Sequence, residues 1–312
     1  MTRLSADYDA ARNGGRIEAP AFAPSDHGVG IVHLGLGAFH RAHQAVYTHD
    51  ALALAGGDWR ICGVSLRSTE IVSALQAQDW LYTLTLRPET AQGKTTRRII
   101  ASLGPCLAAA GGTEPVLARL AHDGTRIVST TVTEQGYGFD RAAGSINPRD
   151  PVIARDLAQA RTPKGTIGLI VEGLRRRRDS GLGAYTVLCC DNLPDNGALL
   201  RRAVLDFSGE IDAALSRWIA ENATFPGTMV DRITPAATPA LGAEIVADLG
   251  LEDAAPIETE PFSQWVMTDD FCASRPAWDA AGALVVADVA PYETMKLRML
   301  NGAHSMLAYA GF

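Results

Sequence analysis

The sequence predicts an α/β fold, a Rossmann-type doubly wound parallel sheet followed by the start of a mainly helical C-terminal domain. Three observations carry this: four short apolar runs, helical patterns between them, and a glycine turn joining the first run to the first helix. With 312 residues, 47% of them hydrophobic, the chain is long enough to bury a substantial core.

A polar, proline-containing leader covers residues 1–27, and the α/β domain with its insertions is expected over 28–285. "VGIVHLGLGAFHRAHQAVYTHDALALAGGDWRICGVSL" reads as a buried strand over 31–34, a glycine turn, a helix turning Ala45, Val46, Ala51 and Leu52 inward, and a second strand over 61–66. This is a βαβ unit, which implies parallel pairing. "EIVSALQAQD" predicts a short helix, and "LYTLTLRPETAQGKTTRRIIASL" predicts two antiparallel strands around a loop, an insertion on the basic pattern. The series resumes with helix "EPVLARLAHD", a strand over 126–133, a helix near 164–178 and a strand over 184–190. Past residue 195 the pattern becomes mainly helical, with "FSQWVMTDDF" as one further strand and a helix from Pro291 onward. Residues 286–312 are expected to begin the helical C-terminal substrate domain.

Net charge is −7 and the isoelectric point is near 5.5, which argues against nucleic acid and anionic membrane as partners. The basic run Arg175 to Arg178 is expected in a last helical turn, solvated and suited to the helix dipole. Five cysteines without a C-x-x-C spacing predict neither a disulfide framework nor a structural zinc site, and make a reducing cytoplasm the default. No window approaches the roughly eighteen apolar residues of a membrane span.

"HLGLGAFHRAHQA" places Gly35-x-Gly37-x-x-His40 between a strand and a helix. The first glycine permits a tight turn, and the second lets the backbone approach a pyrophosphate at the positive start of the helix. Gly35, Leu36, Gly37, Ala38, Phe39 and His40 are therefore candidate cofactor-binding residues, the alternative being an ordinary strand-to-helix turn. His40 replaces the third glycine of the fingerprint, so the helix cannot pack as closely on the sheet there. At the end of the second strand, Glu70 could accept the ribose hydroxyls of NAD, whereas Arg67 could receive the extra phosphate of NADP. His40, His43 and His49 lack a third ligand at metal-site spacing, so no metal is expected.

"ETMKLRMLNGAHS" carries Glu293, Lys296, Asn301 and His304 on one predicted helix. At about 100° per residue they fall near 60°, 0°, 140° and 80° on the wheel, one polar arc opposite Met295, Met299 and Met306. A buried lysine favours its neutral form and can act as a general base, and a neutral amide can donate to a developing alkoxide. The alternative is an exposed Glu293–Lys296 pair on a helix that Asn301-Gly302 terminates. In "TVLCCDNLPDNG", Asn192 follows an apolar strand, where a doubly wound fold opens its ligand crevice; its other use is a turn before Pro194. In "FPGTMVDRITPA", Asp231-Arg232 lies between apolar residues and could close a buried loop as an ion pair.

Together, "HLGLGAFHRAHQAVYTHD", "TVTEQGY", "CDNLPDNG", "FPGTMVDRITPA" and "KLRMLNGAHSMLAY" resemble the mannitol dehydrogenase family of long-chain, zinc-independent polyol dehydrogenases, which includes mannitol 2-dehydrogenase and fructuronate reductase. The likeness runs from about residue 29 to the C-terminus. It implies Lys296 as general base, Asn192 and Asn301 as the amides that stabilise the alkoxide, His304 as the substrate-orienting residue, Glu293 as the gate of a proton path, and Asp231 near the active site. His40 is then a family trait. The implied cofactor is NAD, with NADP open, and the implied substrate a polyol or sugar acid oxidised next to a terminal carbon. D-mannonate/D-fructuronate and D-mannitol/D-fructose are the candidate pairs. Family members continue into a helical substrate domain, whereas this sequence stops at Phe312 with the apolar pattern "MLAYAGF" still running. A truncated chain of this kind predicts a monomer or weak self-association. It also keeps open a non-catalytic dinucleotide-binding module without its substrate domain.

Overall fold

The computed structural model describes residues 2–8, 14–88, 90, 93–140, 142–236, 238–296 and 298. Its centre is a five-stranded parallel sheet of β1 (Val29–Leu34), β2 (Arg60–Ser65), β3 (Leu107–Ala108), β4 (Ile127–Thr130) and β5 (Thr186–Cys189), in the order β5-β4-β1-β2-β3. Leu34 is in register with both Val64 and Thr130, and Thr130 with Cys189, so four strands finish at one edge. The chain winds outward from β1 through β2 to β3, then returns to β4 on the other side of β1. This reversal opens a crevice at the carboxyl ends of β1 and β4, where doubly wound proteins bind ligands.

Both faces of the sheet are covered, as parallel pairing requires. Val32, Leu34, Val64, Val128 and Val187 pack into one apolar cluster with helix α3 (Thr166–Asp179) and helix α4 (Asn196–Ile211). Ile31, Ile61, Ile127 and Leu188 face the opposite cluster, which includes Ala45 and Leu52, together with Trp265 and Trp278. The predicted inward residues Ala45, Val46, Ala51 and Leu52 are all buried. Their helix is divided into α1 (Ala38–Ala42) and α2 (Gln44–Ala55), because the backbone leaves helical geometry at His43. The predicted hairpin insertion is present as Tyr82–Leu86 paired antiparallel with Thr96–Ile100.

Past residue 195 the helices α4, Ala213–Asn222 and Pro239–Leu249 outweigh the strands, as expected, but the chain forms more strands there than the one expected. Here β6 (Thr228–Asp231) pairs antiparallel with β7 (Gln264–Thr268), and β8 (Leu284–Val286) runs parallel to β7. Ile257–Thr259 adds to the hairpin alongside Tyr82–Leu86. These strands are short and their partners lie far away in sequence, so local periodicity understates them. The segment "FSQWVMTDDF" does form the expected strand, anchored by buried Trp265 against Trp278 at 4.6 Å between ring centroids.

The leader packs on the domain: Leu4 and Ile17 are buried, and Thr2–Arg3 pairs with Leu251–Glu252. The run Arg175 to Arg178 is less solvated than expected. Arg175 and Arg176 pair with Glu172, whereas Arg177 is buried and donates to the Gly183 carbonyl at 2.6 Å. No helix among the described residues is long and apolar enough to cross a membrane.

Candidate active site

Gly35, the first residue beyond β1, has φ +111°, and a Cβ there would lie 2.1 Å from the Thr131 carbonyl oxygen. Only glycine fits this turn. The Gly35 and Leu36 N–H groups donate to the Val64 carbonyl at 3.0 and 3.1 Å, fastening the turn to β2. Gly37 caps α1 in an extended conformation with no side-chain cap, and a Cβ on it would meet nothing nearer than 3.8 Å. The two glycines thus serve different ends: one permits the fold, and the other leaves open space beside the start of α1. That space and the uncapped helix start fit the pyrophosphate of a dinucleotide.

Gly37, Ala38 and Phe39 line a cleft of about 750 Å³ that extends to Thr131, Asn192, Asp231 and Lys296. Leu36 is buried against Gly63, where a Cβ would come within 2.5 Å of the Leu36 side chain. His40 does not face the cleft; it turns inward and stacks on His33 with 3.5 Å between ring centroids. Burial holds it neutral, pushing its pKa well below the usual histidine value. His43 bonds the Gln264 carbonyl and His49 accepts from the Ala101 N–H, so the three histidines go to separate partners. Arg67 and Glu70 are exposed beyond the end of β2, and neither lines the cleft.

The far wall comes from distant parts of the chain. Lys296 directly follows helix α5 (Ala290–Met295) and is 8% exposed. Its Nζ donates to the Val230 carbonyl at 2.5 Å and to Asn192 Oδ1 at 3.1 Å, and lies 3.5 Å from Asp231 Oδ1. Behind it, a small cavity of about 60 Å³ reaches from Lys296 to Glu293 between Asn192 and Met229. Glu293 accepts from the Asp195 N–H at 3.2 Å. Burial raises its carboxyl above the ordinary range, and the charges of Asp195 and Asp288 add to this. The structure therefore brings Lys296, Asn192 and Asp231 together, with Glu293 on the adjoining cavity. Asn301 and His304 lie outside the described residues.

The Asp231-Arg232 ion pair is not formed. Successive strand side chains point to opposite faces, so Asp231 approaches Lys296 while Arg232 donates to the Ala42 carbonyl at 2.6 Å and the Glu260 carbonyl at 3.1 Å. Two further residues fix the site without having been singled out as candidates. Asp191 accepts from the Val132 and Thr133 N–H groups at 3.0 and 2.8 Å and from the Tyr137 hydroxyl, binding the loop after β4 to the end of β5. Burial still holds its carboxyl above the ordinary range, because desolvation outweighs these hydrogen bonds. Asn196 donates to the Asp191 and Thr228 carbonyls at 3.1 and 2.9 Å and accepts from the Thr228 N–H at 3.0 Å. It ties β5 to β6 and thereby sets Asn192 opposite Asp231. The only sequence signal was a cluster of polar residues after each apolar strand.

The mannitol dehydrogenase Rossmann domain family model matches residues 29–280, and the mannitol dehydrogenase C-terminal domain model matches 288–312. D-mannonate oxidoreductase of Escherichia coli (strain K12) is 49% identical over 286 residues, 90% of this chain and 58% of that protein. Polyol:NADP oxidoreductase of Gluconobacter oxydans (strain 621H) is 42% identical over 300 residues, 95% of this chain and 61% of that protein. The Pseudomonas fluorescens mannitol 2-dehydrogenase ternary complex with NAD and D-mannitol superposes with a TM-score of 0.91 at 40% identity, covering 100% of this chain and 63% of that one. The chain thus spans about three fifths of the length of the relatives it matches.

Proposed function

The chain belongs to the mannitol dehydrogenase family, and we propose that it is an NAD-dependent oxidoreductase interconverting a polyol or aldonate with its 2-keto sugar, using Lys296 as base. D-mannonate/D-fructuronate and D-mannitol/D-fructose are the proposed substrate pairs. The observation that carries this is the convergence of Lys296, Asn192 and Asp231 on the cleft that the glycine turn also lines.

A bound nicotinamide dinucleotide supplies the hydride acceptor or donor; Gly37 and the start of α1 would hold its pyrophosphate. Lys296, aimed by the Val230 carbonyl and by Asn192, takes the hydroxyl proton of the secondary alcohol. With Oδ1 of Asn192 accepting from Lys296, its amide N–H donates to the alkoxide as charge develops there. Asn301 and His304 would complete the arrangement as second amide and substrate-orienting group, as in the family. The proton then leaves Lys296 through the small cavity to Glu293. Because the base is a lysine, the proposed chemistry needs no zinc. NAD is favoured by the likeness to the NAD complex. Exposed Arg67 at the end of β2, together with the polyol:NADP relative, makes NADP the second cofactor to assay.

The test is NAD(H)- and NADP(H)-linked absorbance change against fructuronate, fructose, mannitol and mannonate, with Lys296→Ala alongside. Turnover is expected with one pair, reduced at least about 100-fold in the variant, while NADH still binds. NADH binding with no turnover on any substrate would instead support a non-catalytic dinucleotide-binding module.

A further inference from the structure

Strand alternation places His33 on the same face of β1 as Ile31, inside a sheet covered on both sides. A polar ring there must find partners. His33 Nε2 lies 3.1 Å from the Gly35 carbonyl oxygen and 2.8 Å from Thr131 Oγ1, and its Nδ1 lies 2.8 Å from Ser129 Oγ. A carbonyl can only accept, so Nε2 carries the proton. Burial keeps the ring neutral, lowering its pKa to about 3. The Gln44 side chain, 2.9 Å from Ser129 Oγ, and the stacked ring of His40 close the network.

All of this converges on one backbone atom. The Gly35 carbonyl also accepts from the Gly37 N–H at 2.6 Å and the Thr131 hydroxyl at 2.9 Å. These bonds hold the turn that presents Gly37 to the cleft. His40, the departure from the third-glycine pattern, covers His33 on one side.

We propose that His33 is a positioning residue of the dinucleotide site: by pinning the Gly35 carbonyl and the Thr131 hydroxyl it preorganises the glycine turn, and so sets cofactor affinity without touching the cofactor. The assignment rests on the dinucleotide-binding function proposed above. A turn fixed in its binding shape before the ligand arrives spares the ordering cost of binding.

The test is titration of the full chain with NADH and NADPH by fluorescence, for wild type, His33→Leu and His33→Gln. Leucine fills similar volume without a donor, whereas glutamine carries an amide N–H about as far out as the imidazole Nε2. His33→Leu is expected to weaken binding about tenfold, the loss of one buried hydrogen bond, and His33→Gln to restore it to within about threefold of wild type. Where turnover is measurable, the leucine variant raises KM for the cofactor and leaves kcat within about twofold. Should His33→Leu fail to fold, Thr131→Val removes the shared hydroxyl link and is expected to weaken binding severalfold. Wild-type affinity in the folded leucine or valine variant, or a glutamine variant as weak as leucine, would overturn the proposal. A wild-type chain that binds neither nucleotide would overturn the dinucleotide function itself, a result visible before any variant is compared.

Discussion

The two glycines of one turn give opposite predictions for the same added methyl group. At Gly35 the backbone has φ +111°, and the new Cβ would sit 2.1 Å from the Thr131 carbonyl oxygen and 2.8 Å from its carbon. That backbone cannot swing aside, because the Thr131 N–H is bonded to Leu34 at 3.0 Å. Positive φ costs an L-residue roughly 1–2 kcal/mol, and overpacking adds roughly 1–3 kcal/mol. Gly35→Ala should therefore lose about 2–5 kcal/mol, lowering Tm by roughly 5–10 °C in a chain of this size. At Gly37 the backbone is extended (φ −92°, ψ −178°) and the nearest atom to a Cβ is 3.8 Å away. Gly37→Ala should leave Tm unchanged or slightly raised, since a compatible Gly-to-Ala change stabilises by about 0.4–1 kcal/mol through the unfolded chain. Its methyl occupies the space proposed for the pyrophosphate, so NADH binding should weaken tenfold or more. Thermal melts monitored by circular dichroism, with NADH titrations on the same samples, separate the two effects. Wild-type NADH affinity in a folded Gly37→Ala chain would refute the proposed approach of the dinucleotide. An unchanged Tm for Gly35→Ala would refute the turn geometry.

Other outcomes follow from the same physical arguments. The Glu293 carboxyl is raised above the ordinary range in the folded chain. Its contribution is therefore most favourable below the unfolded carboxylate pKa of about 4.3 and is lost as pH rises through the folded value. Glu293→Gln should match wild type in Tm near pH 4 and exceed it near pH 8, while slowing turnover severalfold; equal melting at every pH would refute the desolvation of this group. Arg177 donates to the Gly183 and His122 carbonyls and lies over the Tyr185 ring. Arg177→Met should cost about 2–3 kcal/mol in denaturant unfolding and leave NADH affinity unchanged. Arg178→Met, which loses a pair with Asp212, should stay within about 0.5 kcal/mol of wild type.

Features fixed by neighbouring residues were legible in the sequence. The strand-to-helix pattern from Val29 to Ala42 and the hairpin around residue 90 are set by residues close in the chain, whereas the demand for glycine at position 35 also comes from Thr131, 96 residues further on. Backbone sterics and local periodicity decide the local features before any tertiary contact exists. Lys296 and Asn192 were legible as candidates because their residue types carry chemistry, and Asp231 through the family resemblance, but their proximity was not. Lys296 meets Val230 and Asn192 across 66 and 104 residues of chain. The clamps that set this distance, Asp191 past the end of β5 gripping the loop after β4, and Asn196 between β5 and β6, use ordinary polar residues with no periodic signature. The same holds for buried Arg177, for His40 turned onto His33, and for Arg232 bonded to carbonyls instead of Asp231. Composition and short-range pattern determine which elements form and which side chains can do chemistry. Which polar groups are desolvated together is decided only when the sheet order brings distant strand ends to one crevice, because burial and hydrogen-bond partnership are properties of the packed chain.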